Sequence, residues 1–384
     1  MFNFTFQNPT KILFGKGQIA NITSEIPKNA KVLMTYGEGS IKNNGVYDQA
    51  KSALAHYTLF EFAGIEPNPE YDTLMQAVKI VQHENIDFLL AVGGGSVADG
   101  TKFIAAASLY AGHPWEILAS GKPLSKALPL GVVLTLPATG TEMNGNCVVS
   151  HSAINEKRAL RSPLIYPQFS VLDPEATYSV PLKQIGNGIV DSFVHVVEQY
   201  LTYPSQAPLQ DRFAESIMQT LIEVGPITYH NPHDYDARSS FMWCTTMALN
   251  GLIGVGVPQD WSTHIMGYEL TISYGLDHAQ TLAVLLPSVM HVKRQQKQEK
   301  LLQYGERVFG ITQGSIESRI DHAISKTREF FESVGVPTRL SAYNITAAAI
   351  PQFLQQLEEH GRFPLGEHRD MDRAAVQRVF ENSL

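Results

Sequence analysis

Short apolar runs alternate with stretches of helical period through the first half of the chain. Strand-like runs at 31–35, 59–62, 87–92 and 130–136 are separated by amphipathic stretches around 45–56, 70–84 and 97–110. Alternation of this kind predicts a mainly parallel sheet covered by helices. Residues 146–172 read as irregular structure with short strands. After Ser179-Val180-Pro181 the pattern changes to long helical periods with little strand character. The pattern thus predicts an α/β domain over 1–178 and an all-α domain over 179–384. Within the second, Gln295 to Lys300 reads as a solvated helix face, and Glu359 to Pro364 as a break between the last helices, with His360 in a structural role. There are no repeats.

Two strand-to-glycine transitions stand out in the first half. Phe88-Leu89-Leu90-Ala91-Val92 runs into Gly93-Gly94-Gly95-Ser96, followed by a helical pattern from Val97 to Tyr110. Glycines let the backbone approach a ligand closely, and a helix N-terminus presents free N–H groups and partial positive charge. The bland alternative is a tight turn; the strand and helix on either side favour a pyrophosphate. The earlier unit is Ala30 to Thr35 followed by Tyr36-Gly37-Glu38-Gly39-Ser40. The ordinary dinucleotide fingerprint places its phosphate loop first, with an acidic ribose ligand about 20 residues later. Here the richer glycine loop comes second and Gly-x-Gly-x-x-Gly is absent. Ser40 and Lys42 could bind a 2′-phosphate, which leans towards NADP. Glu38 argues the other way, since a carboxylate there could repel that phosphate or take the 2′-hydroxyl of NAD.

The second half carries candidate metal ligands. Residues 188–202 are apolar on most of their helical surface, so this helix is predicted to be buried. Asp191, His195 and Glu198 fall at i, i+4 and i+7 and share one stripe. A buried carboxylate needs a partner or a metal. An Asp–His hydrogen bond at i,i+4 is the plain alternative for the first two, and Glu198 reads as a supporting group rather than a ligand. His264 lies in a helical segment, and His278 follows a glycine turn ahead of an apolar run. One carboxylate and three imidazoles make a full set for Zn or Fe.

Composition narrows the classes. At 384 residues the chain is too long for one ordinary core. A net charge of −8 gives no support to nucleic-acid or anionic-membrane binding. The N-terminus has no basic region and no continuous apolar core, and reads as neither signal peptide nor membrane span. Cys147 and Cys244 lack metal or redox spacing and fit buried thiols in a reducing, cytoplasmic compartment.

The chain resembles the iron-containing (group III) alcohol dehydrogenases, nearest their butanol-dehydrogenase and broad-specificity aldehyde-reductase subgroup. The matching stretches are Pro9 to Gly15, Tyr36 to Lys42, Gly64 to Pro69, Ala91 to Ser96 with Asp99, Leu134 to Gly140, Val190 to His195 and Gly275 to Gln280. The resemblance implies an α/β dinucleotide-binding domain followed by a helical metal-binding domain, the dehydroquinate synthase-like architecture. It implies Asp191, His195, His264 and His278 as metal ligands, and Gly94, Gly95 and Ser96 at the pyrophosphate. Gly37, Ser40 and Asn68 match the adenosine end, with Gly39 and Glu38 among the cofactor-binding positions; Glu38 departs from the subgroup, which commonly has glycine there. Thr135, Thr139 and Thr141 match a segment beside the nicotinamide and its phosphates, Lys157 a lysine at the cofactor ribose, and Asp99 an aspartate near nicotinamide and substrate. The implied reaction is hydride transfer between NADP(H), or NAD(H), and a small alcohol or aldehyde, in a homodimer. The family often has a histidine four residues after its third ligand; Tyr268 stands there, as a hydrogen-bond donor or a pocket wall. A dehydroquinate synthase-type lyase would need Arg and Lys near the metal, and 187–202 and 259–280 contain none. An NAD-dependent polyol dehydrogenase of the glycerol type and a non-enzymatic NADP-binding sensor would share the same cofactor loops.

Overall fold

The structure, a computed structural model, describes residues 1–384. It divides into two compact units: Gln7–Val180, and Pro181–Leu384 together with Met1–Phe6.

The first unit is built on β1 (Lys11–Phe14), β2 (Lys31–Thr35), β3 (Thr58–Phe62), β4 (Phe88–Gly94), β5 (Leu130–Leu136) and β8 (Phe169–Leu172), all parallel in the order β1-β8-β5-β4-β2-β3. Its helices are α1 (Val46–Ala53), α2 (Tyr71–Glu84), α3 (Gly95–Ala107) and the short α4 (Glu116–Ala119). Strands β4 and β5 are buried along nearly their whole length. Parallel strands covered on both faces need continuous apolar runs rather than alternation, which is the pattern of Phe88–Val92 and Leu130–Leu134. Phe88 and Phe169 stack with ring centroids 6.1 Å apart. Gly131 makes room there, since a Cβ on it would lie 2.4 Å from Phe169 Cζ.

Residues 146–172 are more regular than the sequence pattern predicts. Strands β6 (Asn146–His151) and β7 (Glu156–Arg161) form a separate antiparallel hairpin. Strand β8 lies inside the main sheet between β1 and β5. Four buried residues are too few to display a period, and the edge strand β1 is equally short.

From β2 the chain moves outward to β3, then returns to β4 on the other side of β2. Such a reversal opens a crevice at the carboxyl ends of the two strands. The two glycine segments, 37–40 after β2 and 93–96 at the end of β4, therefore emerge side by side.

The second unit is helical: α5 (Leu182–Tyr200), α6 (Pro208–His230), α7 (Tyr235–Leu249), α8 (Ser262–Tyr274), α9 (His278–Val292), α10 (Gln298–Phe309), α11 (Ile316–Ser333), α12 (Ile350–Glu359) and α13 (Arg373–Asn382). Every residue of α5 from Ile185 to Tyr200 is buried, which accounts for its apolar circumference. Met266 and Leu270 of α8, Val284 and Leu285 of α9, Phe353 of α12 and Phe380 of α13 share one core. No helix is long and apolar enough to cross a membrane.

The reading of 295–300 as a solvated helix face is corrected. Residues 293–297 form a turn, and Lys297 and Lys300 are buried. Lys297 Nζ lies 2.7 Å from both Asp260 and Glu367 and donates to Leu201 O at 2.6 Å. Lys300 pairs with Asp211 at 2.7 Å. Long-range carboxylates, invisible in a local charge pattern, draw these cations inward. His360 has the structural role expected of it and meets the buried Glu269, with Nδ1 2.9 Å from Oε1.

Candidate metal centre and dinucleotide-binding loops

Three helices supply the histidine–aspartate cluster. Helix α5 carries Asp191 and His195 one turn apart. Trp261, at φ 62°, redirects the chain into α8, and Asp260 Oδ1 accepts from Ser262 N at 2.9 Å. The Glu198 carboxylate, from α5, accepts from Thr263 N at 2.6 Å and pairs with His264 Nδ1. Gly275, left-handed, ends α8. Asp277 and Gln280 then form a reciprocal capping box that starts α9 with His278 as its first residue. Asn187 Nδ2 and Lys183 Nζ, both on α5, reach Asp277 Oδ2 at 2.8 and 2.9 Å. The start of α9 is thereby tied to α5.

Asp191, His195 and His264 are all buried and bring their ligand atoms within 4.8 Å of one another, close enough to hold a metal ion. Asp191 Oδ1 is 3.6 Å from His195 Nε2, 4.0 Å from His264 Nε2 and 3.8 Å from His278 Nε2. These separations exceed hydrogen-bond length. They are near the roughly 3.4 Å ligand–ligand edge of a tetrahedron with bonds of about 2.1 Å. Burial holds the His195 imidazole well below its usual pKa, with His264 adding to the effect, so His195 is neutral, the form a metal takes. Burial and the nearby Asp260 raise the Glu198 carboxyl, while hydrogen bonds from Thr263 and His264 hold it down. Because Glu198 occupies His264 Nδ1, Nε2 is the nitrogen turned to the cluster. The donor set fits a divalent ion. The His278 side chain is 26% exposed against 5–9% for the other three, so it marks the open side. Tyr268, one turn after His264, is half-buried with its ring 6.1 Å from that of His278.

In the α/β unit, α3 begins at Gly95 with no intervening loop, so the glycines are the strand end and the first helical turn. A Cβ on Gly95 would lie 2.5 Å from Thr139 Oγ1, and that oxygen is buried without a hydrogen-bond partner. A backbone cradle and an orphaned hydroxyl at a helix N-terminus suit a phosphate. The β4–β5 register shifts here, with Gly93 opposite Leu134 and Gly94 opposite Leu136, which leaves Thr135 as the extra residue. Asn68, left-handed at φ 59°, receives Lys157 Nζ at 2.7 Å and donates its N–H to Ser96 Oγ at 3.4 Å. Asp99, on the next turn of α3, accepts from Thr141 Oγ1 at 2.6 Å and from Val148 N at 2.9 Å. Gly37, Gly39 (φ 110°) and the exposed Glu38 and Ser40 form the neighbouring turn after β2.

One residue of this region is not singled out by the sequence pattern. Lys102, fully buried on α3, has five oxygens of residues 141–146 within hydrogen-bond distance of its ammonium. A lysine three residues after Asp99 on an otherwise apolar helix is the only local signal of it.

Comparison with known proteins places this geometry in a lineage. The family model "Iron-containing alcohol dehydrogenase" matches residues 9–174, and "Fe-containing alcohol dehydrogenase family, C-terminal" matches 186–384. The chain is 55% identical over 384 residues to the NADPH-dependent aldehyde reductase YqhD of Escherichia coli, covering 99% of each. It is 39% identical to the probable NADH-dependent butanol dehydrogenase 1 of Bacillus subtilis, over 100% of each. The crystal structure of the E. coli protein superposes with a TM-score of 0.98 over 100% of this chain and 99% of that one, at 54% identity. That of NADH-dependent butanol dehydrogenase A from Thermotoga maritima gives 0.95 over 100% and 99%, at 33% identity. Matches to both family models, one over each half of the chain, make this protein a member of the iron-containing alcohol dehydrogenase family.

Proposed function

We propose that the protein is a metal-dependent alcohol dehydrogenase and aldehyde reductase that moves hydride between NADP(H) and short- to medium-chain alcohols or aldehydes. The observation that carries this is the approach of three imidazole Nε2 atoms to one oxygen of Asp191 at 3.6–4.0 Å. Asp191, His195, His264 and His278 would hold one ion, Zn or Fe. That ion supplies Lewis acidity for a carbonyl or alkoxide oxygen.

The chain's own residues do the rest. Glu198 fixes the tautomer and orientation of His264 by taking its Nδ1–H. His278 and Tyr268 border the open side, where the Tyr268 hydroxyl can donate to a substrate oxygen. The N-terminus of α3, with Gly94, Gly95 and Ser96, binds the pyrophosphate, and Thr135, Thr139 and Thr141 line the segment beside it. Lys157 and Asn68 act as one hydrogen-bonded pair at the ribose, and Asp99 accepts a hydrogen bond near the nicotinamide. Gly37, Gly39 and Ser40 take the adenosine end. The NADPH dependence of the E. coli relative supports NADP(H); the exposed carboxylate of Glu38, and the NADH dependence named for the B. subtilis relative, support NAD(H) as the second reading. The α/β unit is thus the cofactor domain and the helical unit the metal domain.

We further place the protein as a cytoplasmic homodimer. Two buried free thiols suit a reducing compartment. Exposed Phe2, Phe4 and Phe6 offer an apolar face to a second copy.

Initial rates with butanal, using NADPH and NADH, test the reading on protein as purified, stripped with chelator, and reloaded with Zn or Fe. Turnover that depends on the metal and favours NADPH is expected. Full activity in metal-free protein rules out the Lewis-acid role.

A further inference from the structure

Lys102 has no role in the hydride transfer proposed above, yet its surroundings are specific. Its ammonium is wholly buried, with five acceptor oxygens in reach of its three N–H groups: Thr141 O at 2.6 Å, Thr141 Oγ1 at 2.7 Å, Asn144 O at 2.8 Å, Asn144 Oδ1 at 3.2 Å and Asn146 O at 2.8 Å. Every neighbour accepts. A lysine ammonium has three donors and no acceptor, so the Thr141 hydroxyl at 2.7 Å cannot donate to it. The single proton of that hydroxyl is then directed elsewhere. Its two available acceptors are Asp99 Oδ1 at 2.6 Å and Asn146 O at 3.4 Å. The carboxylate is nearer and charged, and charge-assisted bonds are the stronger ones. Asp99 Oδ2 meanwhile accepts from Val148 N at 2.9 Å.

The chain of donors therefore runs one way, from Lys102 through Thr141 to Asp99. A proton on Asp99 would have to face an O–H or N–H already aimed at it. Burial pushes the Asp99 carboxyl upward, and Lys102 is the strongest influence holding it down, ahead of Thr141, Val148 and Lys157. The charged or titratable groups around Asp99 are Lys102 on its own helix, Lys157 on β7, Cys147 on β6 and Glu142 in the turn before β6. Lys102 acts on Asp99 twice over, through its charge and through Thr141, to which both are hydrogen-bonded.

We propose that Lys102 is a positioning residue for this reaction: it fixes the direction of the Thr141 hydroxyl and so keeps Asp99 an ionised acceptor beside the nicotinamide. The inference rests on the dinucleotide-binding role proposed above. A lysine that only braced the 140–146 turn would leave the behaviour of Asp99 indifferent to the loss of its charge, whereas the Thr141 hydroxyl meets Asp99 directly in either case.

The test is NADPH binding by fluorescence titration from pH 4.5 to 9 on the full-length holoenzyme, with kcat/KM for butanal reduction measured alongside. Lys102→Met and Thr141→Val should both move the acidic limb of these profiles upward, by roughly 1–3 pH units for loss of the cation. Thr141→Ser, which keeps the hydroxyl, should hold the limb where the wild type has it. A folded Lys102→Met protein with the wild-type limb overturns the inference, and so does an unmoved limb in Thr141→Val. If Lys102→Met fails to fold, Lys102→Gln, which keeps polar donors without the charge, decides by the same criterion. A wild type that binds neither NADPH nor NADH removes the cofactor reading and this inference together; normal wild-type binding with unmoved variant limbs removes this inference alone.

Discussion

Glu198 and His264 meet through carboxylate and Nδ1 in a buried hydrogen bond that spans 66 residues of sequence. The same carboxylate takes the Thr263 N–H, so one side chain sets both the start of α8 and the tautomer of the imidazole. Partners of this kind typically alter metal affinity by about 10–100-fold. Glu198→Gln should therefore weaken metal binding by that order while leaving the fold intact. Competition with a chromogenic chelator measures it, and an unchanged dissociation constant would refute the assignment.

His264→Ala removes one donor and leaves the Glu198 carboxylate buried without its imidazole. Elemental analysis of this variant, purified without chelator, should find no retained ion, and turnover should vanish. Retention of a full equivalent would show that His264 is not a ligand.

The parts of this architecture visible in sequence are those governed by local pattern. The strands at 31–35 and 130–136 and the glycine-to-helix junction at 93–97 follow from apolar runs and backbone freedom. Strand β8 does not, because four buried residues between irregular segments carry no period. Asp191 and His195 announce themselves as polar groups on a buried helix. His264 and His278 do not, since their convergence on Asp191 depends on how α8 and α9 pack against α5. Lys297 and Lys300 mislead for the same reason: a charge run reads as solvated until the distant carboxylates that bury it are known.

Lys297 links Asp260, Glu367 and the Leu201 carbonyl at one buried point. Removing one member of such a group leaves uncompensated charge and costs about 3–5 kcal/mol. Lys297→Met should lower stability by that amount at pH 7. Urea denaturation gives the value, and a loss under about 1 kcal/mol would mean the cluster behaves like a surface pair.

Burial lowers the Lys102 ammonium to about 8 from its ordinary 10.5. Below pH 8 both folded and unfolded chains carry the charge, and folding bears its full desolvation. Between about 8 and 10.5 the unfolded chain binds more protons, so stability contributed at this site rises with pH. The difference in unfolding free energy between wild type and Lys102→Met should therefore shift in favour of the wild type across that interval, by roughly 3 kcal/mol at most. A difference that is flat from pH 7 to 10 would contradict the lowered value.

Gly95→Ala places a methyl 2.5 Å from Thr139 Oγ1 and 2.9 Å from its Cγ2. Overpacking of this sort costs about 1–3 kcal/mol, here at the helix terminus proposed for the pyrophosphate. NADPH affinity should fall at least about tenfold, the equivalent of 1.4 kcal/mol, with far-ultraviolet circular dichroism unchanged. Wild-type affinity in this variant would move the phosphate away from α3.

His278 opens α9 and Asp191 sits within α5, so an ion shared between them would act as a removable cross-link. It would close a loop of roughly ninety residues, and a permanent link of that span restricts the unfolded chain by about 4–5 kcal/mol. Heat tolerance would then follow metal supply, and a starved cell would hold a chain that is softer as well as inactive.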